Sequence, residues 1–282
     1  MITQKDVPIS DITTFKNSGN ISTLMTFEDI DDLSSFVKKA SRFFVIGKGS
    51  NTLINPQTSV STFIKLSPVL TDLQREGLFI TVPAGMSGNK LLKTAQMMGL
   101  GGLEFIAGVP TTVGGMVAMN FGCWGYEFAD FIDSVQVMNS EGEIEWLSNE
   151  ELSFSYRYSN IEENNRIILA VRLELVADHA LKIHKRSQEN IHLRLSKQPL
   201  RGNTFGSVFK NPDNDYAGRL IEVLGYKGTP FRKYIKMSEA HANFMLNEGH
   251  GQFEEAMALI EDIQERTKSE FGIDLELEVK IV

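Results

Sequence analysis

Cysteine is nearly absent. Cys123 is the only one among 282 residues, which excludes an internal disulfide. Positive charge is in deficit. Lys and Arg number 28 against 36 Asp and Glu, for a net charge of −8, so the chain carries no nucleic-acid footprint. A phosphate-bearing ligand must therefore be held by local donors rather than by the overall field. Long apolar runs are missing too, since none approaches the ~18 residues that suggest a membrane span. Met1–Pro8 lacks the apolar core of a secretory signal. His184, His192, His241 and His250 show no metal-ligand spacing with one another or with Cys123, so no metal is expected and His241 reads as structural. No internal repeat or low-complexity tract is present. These exclusions predict a soluble cytoplasmic protein, and the hydrophobic fraction of 42% is enough for an ordinary core.

Glycine, by contrast, is concentrated. Seven glycines fall in one mostly apolar window from Gly101 to Gly125, interleaved with Val, Met, Ile and Phe. Glycine loses more backbone entropy on folding than any other residue, so a run this dense weakens a helix or strand. Its neighbours mark it as buried rather than as a flexible linker. Buried glycine-rich backbone suits close packing against a flat or phosphorylated cofactor.

Around that window the pattern alternates between strands and helices. Thr26-Phe27-Glu28-Asp29 resembles a capping box with Asp in place of the usual Glu or Gln. Ile30, Leu33, Phe36 and Val37 follow at helical spacing. Phe43–Ile46 reads as a short strand ending at Gly47. A second such unit joins the strand Leu78–Val82 to a helix from about Ser87 to Met98, stopped by Gly99. Ser134–Val137 and Ile144–Leu147 flank the turn residues Asn139–Gly142 as a hairpin, and Ile167–Leu175 closes the region. A basic segment follows over 182–201, with Lys182, Lys185, Arg186, Arg194, Lys197 and Arg201, and marks a domain boundary. Ala217–Leu224 and Phe253–Phe271 read as helices closed by Gly225 and Gly272, and Ile273–Ile281 alternates as a terminal strand. The fold class is α+β in two domains.

Gly47-Lys48-Gly49-Ser50-Asn51 follows a strand but fails as a dinucleotide fingerprint, because Thr52 stands where the third glycine belongs and no helix opens there. It fails equally as a Walker loop, because Gly-Lys is not followed by Ser or Thr. What remains is a tight turn rich in N–H and hydroxyl donors, the kind that binds a pyrophosphate without a helix dipole. An ordinary turn is the competing reading.

Taken in order, the motifs resemble the UDP-N-acetylenolpyruvoylglucosamine reductase family over nearly the whole chain. Thr13-Thr14-Phe15-Lys16 is similar to the family's N-terminal motif, and Gly47–Asn51 to its first flavin loop. Gly108-Val109-Pro110, Thr112-Val113-Gly114-Gly115 and Met119-Asn120-Phe121-Gly122 are similar to the second. Tyr156-Arg157-Tyr158-Ser159, Gly206–Pro212, Ala217–Ile221, His241–Phe244 and Glu278-Val279 follow. The short tail after Glu278 resembles the subtype without an extra substrate loop. Thr111 departs from the usual glycine, Ser18-Gly19 from a glycine pair, and Phe121 and Cys123 from small alanines.

The resemblance implies a vanillyl-alcohol-oxidase (PCMH-type) flavin fold. An FAD-binding domain of two subdomains, split near 66, would span 1–177 and a substrate domain 178–282. It implies that NADPH reduces non-covalent FAD and leaves, and that the enolpyruvyl ether of UDP-N-acetylglucosamine then enters. Hydride adds from flavin N5 to C3, and C2 is protonated to give UDP-N-acetylmuramate, a peptidoglycan precursor. The FAD contacts implied are Gly47, Lys48, Gly49, Ser50, Asn51, Gly108, Val109, Pro110, Thr112, Val113, Gly114, Gly115, Asn120 and Gly122. A monomer is expected.

The same resemblance assigns the chemistry. Arg157 would pair bidentately with the substrate carboxylate as charge develops, a task that suits its planar, permanently charged fork. Ser207 would protonate C2; by itself it reads as a turn serine, and no nucleophile elbow surrounds it. Periodicity does not choose between Glu276 and Glu278, and the family pattern picks Glu278 to orient and polarise the carboxyl group. Tyr156, Asn211 and Lys197 are implied as substrate contacts, with Arg194 beside them on the basic segment. Two rival readings are a binding protein that has lost turnover and a flavin oxidase tethered through Cys123.

Overall fold

The computed structural model describes the chain apart from Ser41 and Glu162. Its contacts form two compact units: Met1–Gln4, Thr23–Gly47 and Thr62–His192 in the first, Lys5–Ser22, Lys48–Ser61 and Leu193–Val282 in the second. The units thus exchange segments along the sequence, whereas the sequence reading divides the chain consecutively at 177/178.

In the first unit Thr23–Phe27 pairs in parallel with Thr62–Leu66, which pairs in parallel with Phe44–Val45. Helix α1, Ile30–Val37, starts at Asp29, whose carboxylate accepts from Asp32 N at 2.9 Å. The cap expected at Thr26 is displaced because Thr26 is still in the ladder, opposite Lys65. Leu33 and Val37 pack with Phe27, Ile64 and Leu169.

A five-stranded antiparallel sheet follows in the order Ile144–Ser148, Ile132–Met138, Ile167–Glu174, Phe79–Pro83, Gln74–Glu76. The expected hairpin turn is held by Asn139 Oδ1, which accepts from Glu141 N and Glu143 N at 2.9 and 3.0 Å. Helix α2, Gly88–Met97, is capped by Ser87, and Gly99 follows it at φ +68°. Leu91, Leu92 and Ala95 share one core with Ile80, Val82 and Val171.

Helix α3, Val113–Ala118, forms inside the glycine-rich window, where density of glycine argued against a helix. Buried Val113, Met116 and Val117 and the Thr112 cap outweigh that propensity. The basic segment folds as helix α4, Ala180–Lys197. Arg186 on it pairs with buried Glu104 and with Asp178, and its guanidinium holds the Asp178 carboxyl below its ordinary range.

In the second unit helices α5, Ala217–Val223, and α6, Phe253–Phe271, pack with Phe15, Phe205, Phe209 and Met245. Gly225 and Gly272 follow them at φ +85° and +70°, as left-handed stops. The alternating tail is not one strand. Only Lys280–Ile281 lies in a ladder, parallel to Thr52–Leu53. Upstream, Glu276 O accepts from Lys210 N and Glu278 N donates to Val208 O, both at 2.9 Å, so the tail changes partner along its length. Among the described residues no helix is long and apolar enough to cross a membrane, and no His, Cys, Asp and Glu cluster that could hold a metal occurs.

Candidate active site

The first glycine loop is locked by close contacts. A Cβ at Gly47 would lie 2.5 Å from Thr112 Oγ1. At Gly49, φ is +60° and a Cβ would lie 2.3 Å from the Ile12 carbonyl oxygen. Conformation and space therefore both demand glycine there. Thr14 N donates to Gly49 O at 3.2 Å, and the Asn51 side chain donates to the Glu278 carbonyl at 2.9 Å. Lys48 is exposed and Ser50 half-buried.

Thr112 also caps α3, its Oγ1 accepting from Gly115 N at 3.2 Å. A methyl at Gly47 forces Thr112 to turn away, and the cap bond goes with it. Gly47→Ala should therefore destabilise the fold by about 1 kcal/mol or more, the usual worth of such a cap. In thermal unfolding, Gly47→Ala added to Thr112→Ala should lower Tm much less than Gly47→Ala alone. Additive losses would show that the two residues do not meet.

In the second loop Gly108 has φ +81° and Thr111 is buried, with its hydroxyl donating to Thr112 O. A Cβ at Gly114 would lie 3.1 Å from Ala84 Cβ, so that glycine admits the protein's own backbone. Gly115 faces Thr112 Oγ1 at 3.2 Å. Phe121 stacks on Phe105 with ring centroids 6.2 Å apart, and Cys123 Sγ lies 3.3 Å from the Phe105 carbonyl oxygen. Asn120 is buried at φ +41°. It donates to Glu127 Oε2 and to the Ser155 carbonyl at 2.7 and 3.0 Å, and accepts from Ala129 N at 3.1 Å.

Arg157 sits in a turn closed by Ser155 N to Tyr158 O and Tyr158 N to Ser155 O, at 3.2 and 3.1 Å. Its φ is +55°, a left-handed conformation that costs on the order of 1–3 kcal/mol for a residue of this kind. Its Nη2 donates to the Gly122 carbonyl at 2.8 Å, and its Cζ lies 5.0 Å from the centroid of the exposed Tyr156 ring.

On the second unit Ser207 and Glu278 stand on adjacent segments. Ser207 pairs with Phe244 in an antiparallel bridge, between Gly206 at φ +86° and Val208. Phe205, Val208 and Phe209 are at most 1% exposed, while Ser207 is half-buried. Its hydroxyl has no partner among the described residues. Asn243 fixes the next residue, accepting from Phe209 N and donating to Phe209 O at 3.1 and 2.8 Å. The Val208 carbonyl accepts from Glu278 N at 2.9 Å, which ties the segment that follows Ser207 to the backbone of Glu278. Glu276, the alternative, pairs with Lys210 at 3.3 Å and is 76% exposed.

Asn211 has a structural bond that the sequence did not signal: its Oδ1 accepts from Ala217 N at 3.1 Å, at the start of α5. Arg194 is buried and donates to Gln198 at 3.2 Å, while Lys197 is exposed. His241 Nδ1 accepts from Asn243 N at 3.2 Å, and burial, then nearby Lys227, pushes its pKa down. Asp215 is held at about 2 by hydrogen bonds from Arg219. Asn243 and Glu127 escaped the sequence reading. Asn243 lies in the recognised His241–Phe244 motif without an assigned role, and nothing local marks Glu127.

Residues 198–282 match the profile described as the UDP-N-acetylenolpyruvoylglucosamine reductase C-terminal domain, and residues 22–148 that of an FAD binding domain. The UDP-N-acetylenolpyruvoylglucosamine reductase of Moorella thermoacetica is 37% identical over 278 residues, covering 97% of this chain and 91% of that protein. The protein of the same name from Bacillus subtilis is 34% identical over 280 residues, covering 98% and 92%. The crystal structure of UDP-N-acetylenolpyruvylglucosamine reductase (MurB) from Thermus caldophilus aligns with TM-score 0.85 at 31% identity, covering 99% of both chains.

Proposed function

The chain belongs to the UDP-N-acetylenolpyruvoylglucosamine reductase family, with a PCMH-type FAD-binding fold followed by the family's C-terminal domain, and from that premise we propose its reaction. It reduces the enolpyruvyl ether of UDP-N-acetylglucosamine to UDP-N-acetylmuramate, with NADPH as reductant and non-covalent FAD as carrier. One observation carries this reading. The 48–51 turn, bonded through Asn51 to the Glu278 carbonyl, leads through Glu278 N and Val208 O to Ser207, so a phosphate-type donor loop and two candidate catalytic residues share one bonded network.

FAD fits the residues present. The backbone N–H groups of Lys48, Gly49, Ser50 and Asn51 have no acceptor among the described residues. Successive donors in a tight turn suit a pyrophosphate. Gly47, Gly108, Val109, Pro110, Val113 and Gly115 are carried as further contacts.

FAD held there would supply hydride chemistry at C3 of the enolpyruvyl group. Negative charge would then grow on C2 and the neighbouring carboxylate. Arg157 binds that carboxylate, its fork aimed by the Gly122 carbonyl. Glu278 orients the carboxyl group, and Ser207 delivers its proton to C2. Tyr156, Lys197 and Asn211 are the proposed substrate contacts.

The experiment is an absorbance series on purified protein reconstituted with FAD. Flavin bands should bleach with NADPH under anaerobic conditions and return on adding the enolpyruvyl ether. Bleaching without recovery would remove the substrate assignment, and failure to take up FAD would remove the cofactor. Colour that stays with the chain after denaturation would favour a tethered flavin instead.

A further inference from the structure

An amide side chain offers two donors and one carbonyl acceptor. Asn120 commits its nitrogen to Glu127 and Ser155 and its oxygen to Ala129 N. Glu127 when ionised can only accept and Ala129 N can only donate, so the two ends of the amide are distinguished by chemistry. With those bonds made, both N–H donors of the amide are committed to the protein and one lone pair of its oxygen remains. What it grips is informative. The Ser155 carbonyl belongs to the residue whose exchange of backbone bonds with Tyr158 encloses Tyr156 and Arg157. Further along the same segment, Gly122 O holds Arg157 Nη2. The space beside Gly122 is shared: a Cβ there would lie 3.1 Å from Glu127 Cγ and 3.2 Å from Arg157 Nη1. The 120–127 segment therefore holds Arg157 at the base of its turn and at its head.

We propose that Asn120 is a positioning residue for Arg157, with Glu127 fixing the direction of its amide. The inference rests on the reading that Arg157 meets the substrate carboxylate. It also accounts for the residue type. At φ +41° asparagine is better tolerated than most side chains, and glycine would adopt the angle but carry none of the bonds. Aspartate would set a carboxylate against Glu127 and against the Ser155 carbonyl.

The test uses FAD-loaded enzyme and stopped-flow absorbance of each half-reaction. If wild-type enzyme fails to reoxidise with the enolpyruvyl ether, the functional reading fails before this inference is reached. If it reoxidises, Asn120→Gly should keep wild-type flavin content and NADPH-driven bleaching. Its substrate-driven reoxidation should slow by about 10²-fold, the scale of a misplacement near 1 Å. The pair Asn120→Asp with Glu127→Gln restores a donor–acceptor contact between the two positions but leaves the Ser155 carbonyl without its donor. Relieved of the Glu127 repulsion, it should regain part of the Tm that Asn120→Asp alone loses but not the reoxidation rate, which keeps the inference testable if Asn120→Gly folds poorly. In an Arg157→Lys background the swapped pair should slow reoxidation little further, because both changes act through one guanidinium. Recovery of rate together with Tm would reduce Asn120 to a structural role. Loss of flavin, or equal slowing of both half-reactions, would return it to the cofactor site.

Discussion

Arg157→Lys should bleach with NADPH at the wild-type rate and reoxidise with substrate roughly 10²–10³-fold more slowly, the penalty typical of losing one preorganised donor to developing charge. The substitution keeps the positive charge and removes the fork. Arginine has a fixed geometry that serves the Gly122 carbonyl through Nη2 and, in the proposed role, would present its plane to the substrate carboxylate. Lysine offers a single flexible ammonium, so the same charge arrives without direction. The backbone sharpens the comparison. At φ +55° arginine and lysine are equally unfavourable, so the lysine variant isolates the head group. Arg157→Gly separates the other half. Glycine adopts that angle freely, so this variant should retain or gain thermal stability while losing reoxidation. A left-handed arginine kept at the expense of stability is what a positioned functional group predicts. Wild-type reoxidation by the lysine variant would take Arg157 out of contact with the substrate.

Much of the fold was legible because its signals are local. Gly99, Gly225 and Gly272 stop helices at the places the sequence indicates, since a left-handed stop depends on one residue's freedom. The ends of α6 coincide with the expected Phe253 and Phe271. Errors arose where a distant partner decides. The alternation of the tail does report burial, with Leu275 and Val279 inside and Asp274 and Glu276 outside. A ladder also needs a neighbour of matching length, and Lys210, Val208 and Asn51 each bond only a short part of the tail. Thr26 satisfies the capping pattern, yet strand pairing with Lys65 claims it first. The site follows the same division. Ordered motifs bring out Arg157, Ser207 and Glu278 as candidates, but the bonds from Asn120 to Ser155 and from Asn211 to Ala217 join residues that no short pattern connects.

Ser207→Ala should leave NADPH-driven bleaching almost unchanged and slow substrate-driven reoxidation by roughly 10²–10⁴-fold, the usual worth of a positioned general acid. The placement favours a proton donor. Phe205, Val208 and Phe209 anchor the segment in the core, and Asn243 ties the backbone of Phe209 from both sides. The hydroxyl between these anchors is thus rigidly carried yet bonded to nothing among the described residues. A serine hydroxyl is a weak acid, but in the proposed reaction the enolate-like centre at C2 would be a strong base. Transfer becomes feasible when the hydroxyl is held in line and cationic groups steady the transient alkoxide. Glu278 N, bonded to the adjacent Val208 carbonyl, fixes the tail against this same segment, so loss of the hydroxyl should not disturb the anchoring of the tail. Ser207→Cys should recover part of the rate, because a thiol also donates a proton. Reoxidation near the wild-type rate in the alanine variant would assign the proton to another group. Slowing of both half-reactions alike would show that Ser207 supports the flavin site as a whole.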